Sequence, residues 1–102
     1  MTIIPKEFNL CGITITTEVA DGLVDEHKVI GCASYTTQSI LIDTKAAPKE
    51  TLEQSFVHEL VHWILFIMNR EELRNDEVFV DIFAHLMYQY MKTARGELTE
   101  KE

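Results

Sequence analysis

The spacing of apolar residues changes once along this chain, near Ala47, and this change restricts the fold more than any other feature of the sequence. Before it, β-branched residues such as Ile13 and Ile15 alternate with polar ones, which is typical of a strand with one buried face. After it, apolar residues recur every three to four positions, which is typical of amphipathic helices. We therefore expect a single α+β domain, β-rich over residues 1–46 and helical over residues 47–95.

Three segments of the first half have the composition of strands. They are Phe8–Val19, His27–Tyr35 with an interruption at Gly31, and Ser39–Asp43. The connection from Ala20 to Glu26 carries turn residues but is longer than a two-residue hairpin loop. We expect these strands to pair in a small antiparallel sheet.

Two helices are predicted in the second half, and an antiparallel hairpin of the two would pack on the sheet. The first helix begins near Ala47, has Pro48 in its first turn and ends near Met68, and it should be the most buried element. A charged connection over residues 69–75 follows, with Asn75 as the expected N-cap of the second helix.

The second helix has a pronounced apolar stripe and ends before Gly96. A flexible tail is expected over residues 96–102. The stripe consists of Val78, Ile82, Leu86 and Tyr90.

The size and charge of the chain limit its partners. Its 102 residues are enough for one domain and too few for a second core. Nine Lys and Arg residues against seventeen Asp and Glu residues give a net charge of −8 at pH 7. Nucleic acids and anionic membrane surfaces would be repelled, whereas a basic protein partner would be attracted.

The sequence also predicts a cytoplasmic protein. Residues 1–7 lack the basic region and apolar stretch of a signal peptide, and the apolar run from Trp63 to Met68 is far shorter than the roughly 18 residues that span a bilayer. Cys11 and Cys32 form no Cys-x-x-Cys pair, so we expect two free, buried thiols. A disulfide across neighbouring strands is the alternative.

The first helix contains the segment His58-Glu59-Leu60-Val61-His62, in which two imidazoles are four residues apart. This spacing puts both rings on one side of the helix, about 6 Å apart along its axis, so that they can bind one metal ion. Glu59 turns toward the same cleft, where it can act as the general base on a metal-activated water. Such a five-residue pattern also arises by chance, but two imidazoles in an apolar neighbourhood are costly to bury unless a partner satisfies them. We therefore expect one Zn²⁺ ion, which needs a third protein ligand.

Two acidic residues at the start of the second helix can supply that ligand. Glu77 follows His62 by fifteen positions, and Asp81 lies one helical turn later on the same face. We favour Glu77 as the ligand and Asp81 as the residue that orients a ligand imidazole, and the reverse assignment stays open. Without a metal, Glu77 would simply favour the helix dipole and Asp81 would belong to a solvated face.

His85 and Tyr35 are further candidates for contacts with an oxyanion or a substrate. His85 continues the four-residue steps of Glu77 and Asp81, but a surface position is an equal alternative. Tyr35 precedes the last predicted strand, and packing is the alternative role of a half-buried tyrosine.

From about Ser39 to Tyr90, about half of its length, the chain resembles the ImmA/IrrE type of zinc metallopeptidase from bacteria, phages and mobile elements. Two motifs in the same order carry this resemblance. The first is the His58–His62 segment preceded by the strand Ile40-Leu41-Ile42-Asp43. The second is Glu77-x-x-Val80-Asp81-x-Phe83-Ala84-x-Leu86-Met87.

The resemblance implies a gluzincin-like site and hydrolysis of peptide bonds in a regulatory protein, often a repressor. In such a site His58, His62 and Glu77 would be the zinc ligands, Glu59 the general base and Asp81 the support for a ligand. The chain departs from the family at one position within the motif and in its overall length.

Val61 is the first departure, because the family often has glycine there, and we expect the larger side chain to narrow the site. The second is the lack of an attached helix-turn-helix domain or a long N-terminal helical portion, so the regulatory target is not indicated.

The site is expected where the first helix faces the strand Ile40–Ile42, with an extended substrate added along the edge of that strand. In the predicted reaction Glu59 takes a proton from the activated water and passes it to the leaving amine. One alternative is a non-catalytic metal-binding or protein-interaction module that keeps the site, and another is an α+β binding domain without metal. Glu59 favours the enzyme, because a structural zinc site needs no base.

Overall fold

The computed structural model describes residues 2–99 and has the strands in the first half and the two long helices in the second, which confirms the α+β class. The strands are β1 (Glu7–Leu10), β2 (Ile13–Val19), β3 (Gly31–Ser34) and β4 (Ser39–Ile42). The helices are α1 (Leu23–His27), α2 (Lys49–Ile67), α3 (Glu71–Arg74) and α4 (Glu77–Thr93).

Strands β1 and β2 form a hairpin within the segment that the sequence predicts as one strand. Leu10 pairs with Ile13, so only Cys11 and Gly12 form the turn. Their φ angles are positive, 49° and 81°, as in a type I′ turn, whose twist matches that of the flanking strands. Cysteine takes the place of the usual Asn or Asp before this glycine, so the turn has no clear signature in the sequence.

The sheet has the strand order β1-β2-β4-β3 and is mixed. The β1–β2 and β3–β4 pairs are antiparallel as predicted, but β2 and β4 are parallel, with Thr17 paired with Ile40. After β2 the chain passes through α1 and forms β3 one strand position away from β2, antiparallel to it. Strand β4 then turns back from β3 and fills the position between them, so it runs parallel to β2. As a result β4 has partners on both sides, and β3 forms an edge of the sheet.

The two free cysteines differ in their surroundings. Cys32 in β3 is half-buried, but Cys11 is exposed, so the prediction that both thiols are buried is wrong for Cys11. Its position in the hairpin turn explains this exposure. Burial and the neighbouring Glu59 carboxylate raise the pKa of the Cys32 thiol.

Helix α2 packs across the sheet and buries the most residues of any helix in the described part of the chain, as its apolar pattern predicts. Phe56, Val57 and Val61 lie in the core with Ile40 of β4. Trp63 is also buried, and its indole Nε1 donates a hydrogen bond of 3.0 Å to the carbonyl of the first residue of β4. This bond satisfies the buried indole N–H and ties α2 to the sheet.

Helix α4 packs antiparallel to α2, as predicted, and α3 forms part of the connection between them. Asp76, rather than the expected Asn75, caps α4, because its carboxylate accepts a hydrogen bond of 3.1 Å from the amide of Phe79. This cap fixes the first turn of α4 close to the middle of α2.

The face of α4 that packs on α2 is not its apolar stripe. Val80 and Ala84 are the buried residues of this helix, and their small side chains allow a close approach to α2. The stripe itself, Val78, Ile82, Leu86 and Tyr90, is exposed. Apolar periodicity identifies residues that share a face, but it does not determine which of two apolar faces is covered.

A buried carboxylate, that of Glu53 in α2, connects three parts of the fold. Its Oε2 accepts hydrogen bonds from the Thr2 hydroxyl at 2.9 Å and the Ile3 amide at 3.0 Å. Its Oε1 accepts from the Tyr88 hydroxyl at 2.8 Å and the Lys92 ammonium at 3.0 Å. Burial by itself would raise the pKa of Glu53, but these hydrogen bonds outweigh it and lower the pKa to about 2.

Within residues 2–99, none of the helices combines the length and the apolar character needed to cross a membrane. Residues 96–99 of the predicted tail are neither helix nor strand. The rest of that tail, residues 100–102, lies outside the described residues.

Candidate metal centre

Helix α2 carries His58 and His62 side by side, as their four-residue spacing predicts. Their ring centroids are 5.0 Å apart. The two side chains are 20% and 14% exposed, so one side of the pair is accessible from solvent. Both rings face the first turn of α4.

Glu77, the first residue of α4, lies between the two imidazoles. Its Oε1 is 2.8 Å from Nε2 of His62, and its Oε2 is 3.3 Å from Nε2 of His58. One ligand atom from each of the three residues can be chosen so that all three lie within 4.8 Å of one another. The structure therefore brings together the three residues that the sequence predicts as metal ligands.

The chemistry of this group suits zinc. Two imidazole nitrogens and one carboxylate oxygen match the ligand types of catalytic zinc sites, in which three protein ligands leave one position open. An imidazole must be neutral to bind a metal. Burial lowers the pKa of His62 and favours this neutral form, although the Glu77 carboxylate beside it acts in the opposite direction.

Asp81 lies on the other side of His58. Its Oδ1 is 3.5 Å from Nδ1 of that ring, whereas Glu77 approaches Nε2. A carboxylate at the second ring nitrogen of a metal-binding histidine holds the ring in orientation and keeps the ligand nitrogen available. The two acidic residues therefore occupy the positions that the favoured assignment requires, and their roles toward a metal stay predictions.

Glu59 is half-buried between α2 and β3, beside the histidine pair. Burial raises the pKa of its carboxyl group and the Glu77 charge adds to this effect, while His58 and a hydrogen bond with the Ala33 backbone oppose it. The residue is thus held by the edge strand and faces the same cleft as the histidines.

Gly31 allows β3 to approach α2 this closely. A Cβ atom at this position would lie 2.8 Å from Oγ of Ser55, 3.0 Å from Cδ1 of Ile42 and 3.4 Å from Cγ of Glu59. Its only sign in the sequence is an isolated glycine within a strand pattern, which is typical of a close backbone approach.

An open groove runs along β3 on both sides of the histidine pair. One end, with a volume of about 570 Å³, is lined mainly by polar residues and includes the acidic side chains of Glu50 and Asp81 with the cation of Lys28. The other end, about 510 Å³, contains Tyr35 and Arg74. His58, Glu59 and Gly31 line both ends.

Arg74 of α3 is a residue of this groove that the sequence does not single out. Its guanidinium carbon lies 5.2 Å from the ring centroid of Tyr35 and 5.4 Å from that of Phe66, which are themselves stacked at 4.2 Å. Burial raises the pKa of Tyr35, and Arg74 acts in the opposite direction. The predicted candidate Tyr35 therefore borders the site, with a cation beside it.

His85 does not join the three-residue group. It pairs through Nδ1 with the amide of Gln54, one turn before His58 on α2, and it is exposed. His85 lies one helical turn after Asp81 on α4, farther from the histidine pair.

Two expectations about the surroundings of the site are wrong. Val61 does not narrow the groove, because its side chain is only 2% exposed and packs in the core. The strand Ile40–Ile42 cannot receive a substrate strand, because β2 and β3 occupy both of its edges. The edge that borders the histidine pair belongs to β3.

No protein-family model, curated protein or solved structure matches the chain. The resemblance to ImmA/IrrE metallopeptidases thus depends on the two sequence motifs and stays a hypothesis.

Proposed function

We propose that this protein is a zinc-dependent metallopeptidase that hydrolyses peptide bonds, with a regulatory protein as its substrate. The observation that carries the proposal is the convergence of donor atoms from His58, His62 and Glu77 within 4.8 Å of one another. Glu59 faces the same open groove, and a site with three ligands and an adjacent base is typical of hydrolytic zinc enzymes.

The residues around the site have distinct roles in the proposed hydrolysis. When bound, Zn²⁺ supplies a Lewis acid that brings the pKa of water toward about 7 and polarises the substrate carbonyl. Glu59 accepts a proton from the attacking water and delivers it to the amine that leaves when the peptide bond breaks. Asp81 orients His58 through its second ring nitrogen.

An extended substrate would bind along β3. The outer edge of this strand lacks a partner strand in the described sheet, and its backbone groups can pair with a peptide by strand addition. Arg74 and Tyr35 at one end of the groove are suited to hold a carboxylate or carbonyl oxygen of the peptide. At the other end the carboxylates of Glu50, Glu59 and Asp81 outnumber the cation of Lys28 and so favour a basic side chain, in agreement with the net charge of −8.

We further propose a cytoplasmic location and no nucleic-acid or membrane partner. Two free cysteines and an acidic surface support this proposal.

Metal binding is tested first, by isothermal titration of the chelator-treated protein with Zn²⁺. We expect one ion per chain for the wild type and for Glu59→Gln, whose amide preserves the size of the side chain. His62→Ala should lose most of the affinity. Failure of the wild type to bind zinc would contradict both the enzyme and the non-catalytic metal-binding alternative.

Catalysis is tested with zinc-loaded wild type and Glu59→Gln on a library of quenched fluorescent peptides and on unfolded casein. We expect cleavage by the wild type and a rate at least about 100-fold lower for the variant, since a general base contributes about 10² to 10⁴. Equal rates would refute the role of Glu59. Tight zinc binding without cleavage of any peptide would favour the non-catalytic metal-binding module, for which the close approach of the three ligands is the supporting observation.

A further inference from the structure

Helix α4 presents a series of exposed apolar side chains to solvent, outside its contact with α2. We name it the α4 outer face and define it by six residues with exposures between 41% and 72%. These residues are Val78, Ile82, Phe83, Leu86, Tyr90 and Met91.

The area of the α4 outer face is large for a chain of this size. With about 150–250 Å² for a fully exposed large side chain, the exposures imply roughly 600 Å² of apolar surface. This value is at the upper end for the largest patch on a monomer, and such patches usually mark interaction sites. Two copies in contact would bury at most roughly 1,200 Å², which reaches the lower limit for a stable, specific interface.

The distribution of charge favours a second copy of this chain as the occupant. The six residues of the face are uncharged, whereas Asp76 caps the N-terminal end of α4 and Arg95 lies just beyond its C-terminal end. Glu77 and Lys92 do not contribute here, because Glu77 faces the two histidines and Lys92 binds Glu53. In an antiparallel pair of α4 helices, each acidic end would lie near the basic end of the other copy. The helix dipoles would add to this attraction.

We propose that the protein forms a two-fold symmetric dimer in which the α4 outer faces of two copies pack antiparallel. The four-residue spacing of Val78, Ile82, Leu86 and Tyr90 gives an apolar ridge, inclined by about 26° to the helix axis, that can pack into the matching groove of a second copy. Val78 and Ile82 also border His58 and Glu77. In such a dimer the second copy would lie beside the candidate metal centre.

Sedimentation equilibrium between 1 and 100 µM tests the dimer, with and without zinc. We expect twice the chain mass of 11.8 kDa for the wild type at the highest concentration. Leu86→Glu should raise the dissociation constant at least about 30-fold, the ratio expected for loss of a central interface contact. Val19→Glu is the matched control, because Val19 is similarly exposed, at 65% against 59%, but lies on β2.

A wild type that remains at 11.8 kDa throughout this range would overturn the proposal and leave the face to another partner. A dimer that survives Leu86→Glu, or that Val19→Glu disrupts, would overturn it as well. Circular dichroism establishes whether each variant is folded. If Leu86→Glu does not fold, it is replaced by Tyr90→Glu, at the most exposed position of the face.

The orientation is tested with spin labels on Thr93→Cys in a chain that also carries Cys11→Ser and Cys32→Ser. Thr93 lies eight residues, or about 12 Å, from the middle of α4, so antiparallel copies separate the labels by about 24 Å along the axis. Parallel copies would bring them to about 10 Å. The shorter distance would contradict the antiparallel arrangement.

Discussion

Replacing Glu53 by glutamine should weaken the fold in a way that depends on pH. The carboxylate accepts four hydrogen bonds from residues before β1 and from α4. Glutamine keeps the shape, but its NH₂ group cannot accept, so at least two donors lose their acceptor. We expect the free energy of unfolding to fall at neutral pH.

The magnitude follows from the pKa of Glu53, which is about 2 in the folded chain against an ordinary value of 4.5. A difference of this size corresponds to about 3 kcal/mol at pH 7. Lys92 is 35% exposed, so solvent screens part of its attraction, and we expect about 2 kcal/mol. Because the folded-state pKa is the lower one, this stability is present above pH 4.5 and is lost as the pH falls toward 2.

Urea unfolding followed by circular dichroism at pH 7, 5, 4 and 3 measures this effect, with EDTA present so that metal does not contribute. The difference between wild type and Glu53→Gln should be about 2 kcal/mol at pH 7 and should shrink below pH 4.5. Glu50→Gln, an exposed position one turn earlier on α2, should change stability by less than about 0.5 kcal/mol. A difference that stays constant from pH 7 to pH 3 would refute the argument from the charged carboxylate.

Three further predictions concern the site and its surroundings. Asp81→Asn should weaken zinc binding by about 10- to 100-fold and Glu77→Gln by more, as measured by competition with a chelating dye. A larger effect of Asp81→Asn than of Glu77→Gln would reverse the roles of the two residues. Gly31→Ala should reduce the free energy of unfolding by about 1–3 kcal/mol in urea, because its Cβ would overlap atoms of α2 and β4, and an unchanged value would contradict the close approach. A disulfide reagent should label exposed Cys11 rapidly and Cys32 slowly, since burial raises the pKa of the latter thiol, so Cys11→Ser should remove the fast phase.

The histidine pair could be predicted from the sequence because its geometry is local. Residues four apart on a helix are neighbours whatever surrounds the helix, so the spacing of His58 and His62 determines that their rings lie together. The change of apolar period near Ala47 is equally local and predicts the α+β class.

The hairpin turn and the edge strand could not be predicted from the sequence, for different reasons. The β1–β2 turn depends on a positive φ angle at Cys11. Cysteine is not one of the residue types that are typical of this turn conformation. The edge position of β3 depends on which strands pair across the sheet, and the apolar run Ile40–Ile42 carries no information on the direction or identity of the partner strand.

The sequence by itself thus determined the α+β class, the two long helices and the residues that share a face of each helix. Only the tertiary structure decided that Glu77 meets both imidazoles while Asp81 meets the opposite ring nitrogen, and that the apolar stripe of α4 faces solvent. These features depend on how α4 is rotated about its axis against α2. That rotation is set by the close packing of the small side chains of Val80 and Ala84, which no repeat within α4 alone can specify.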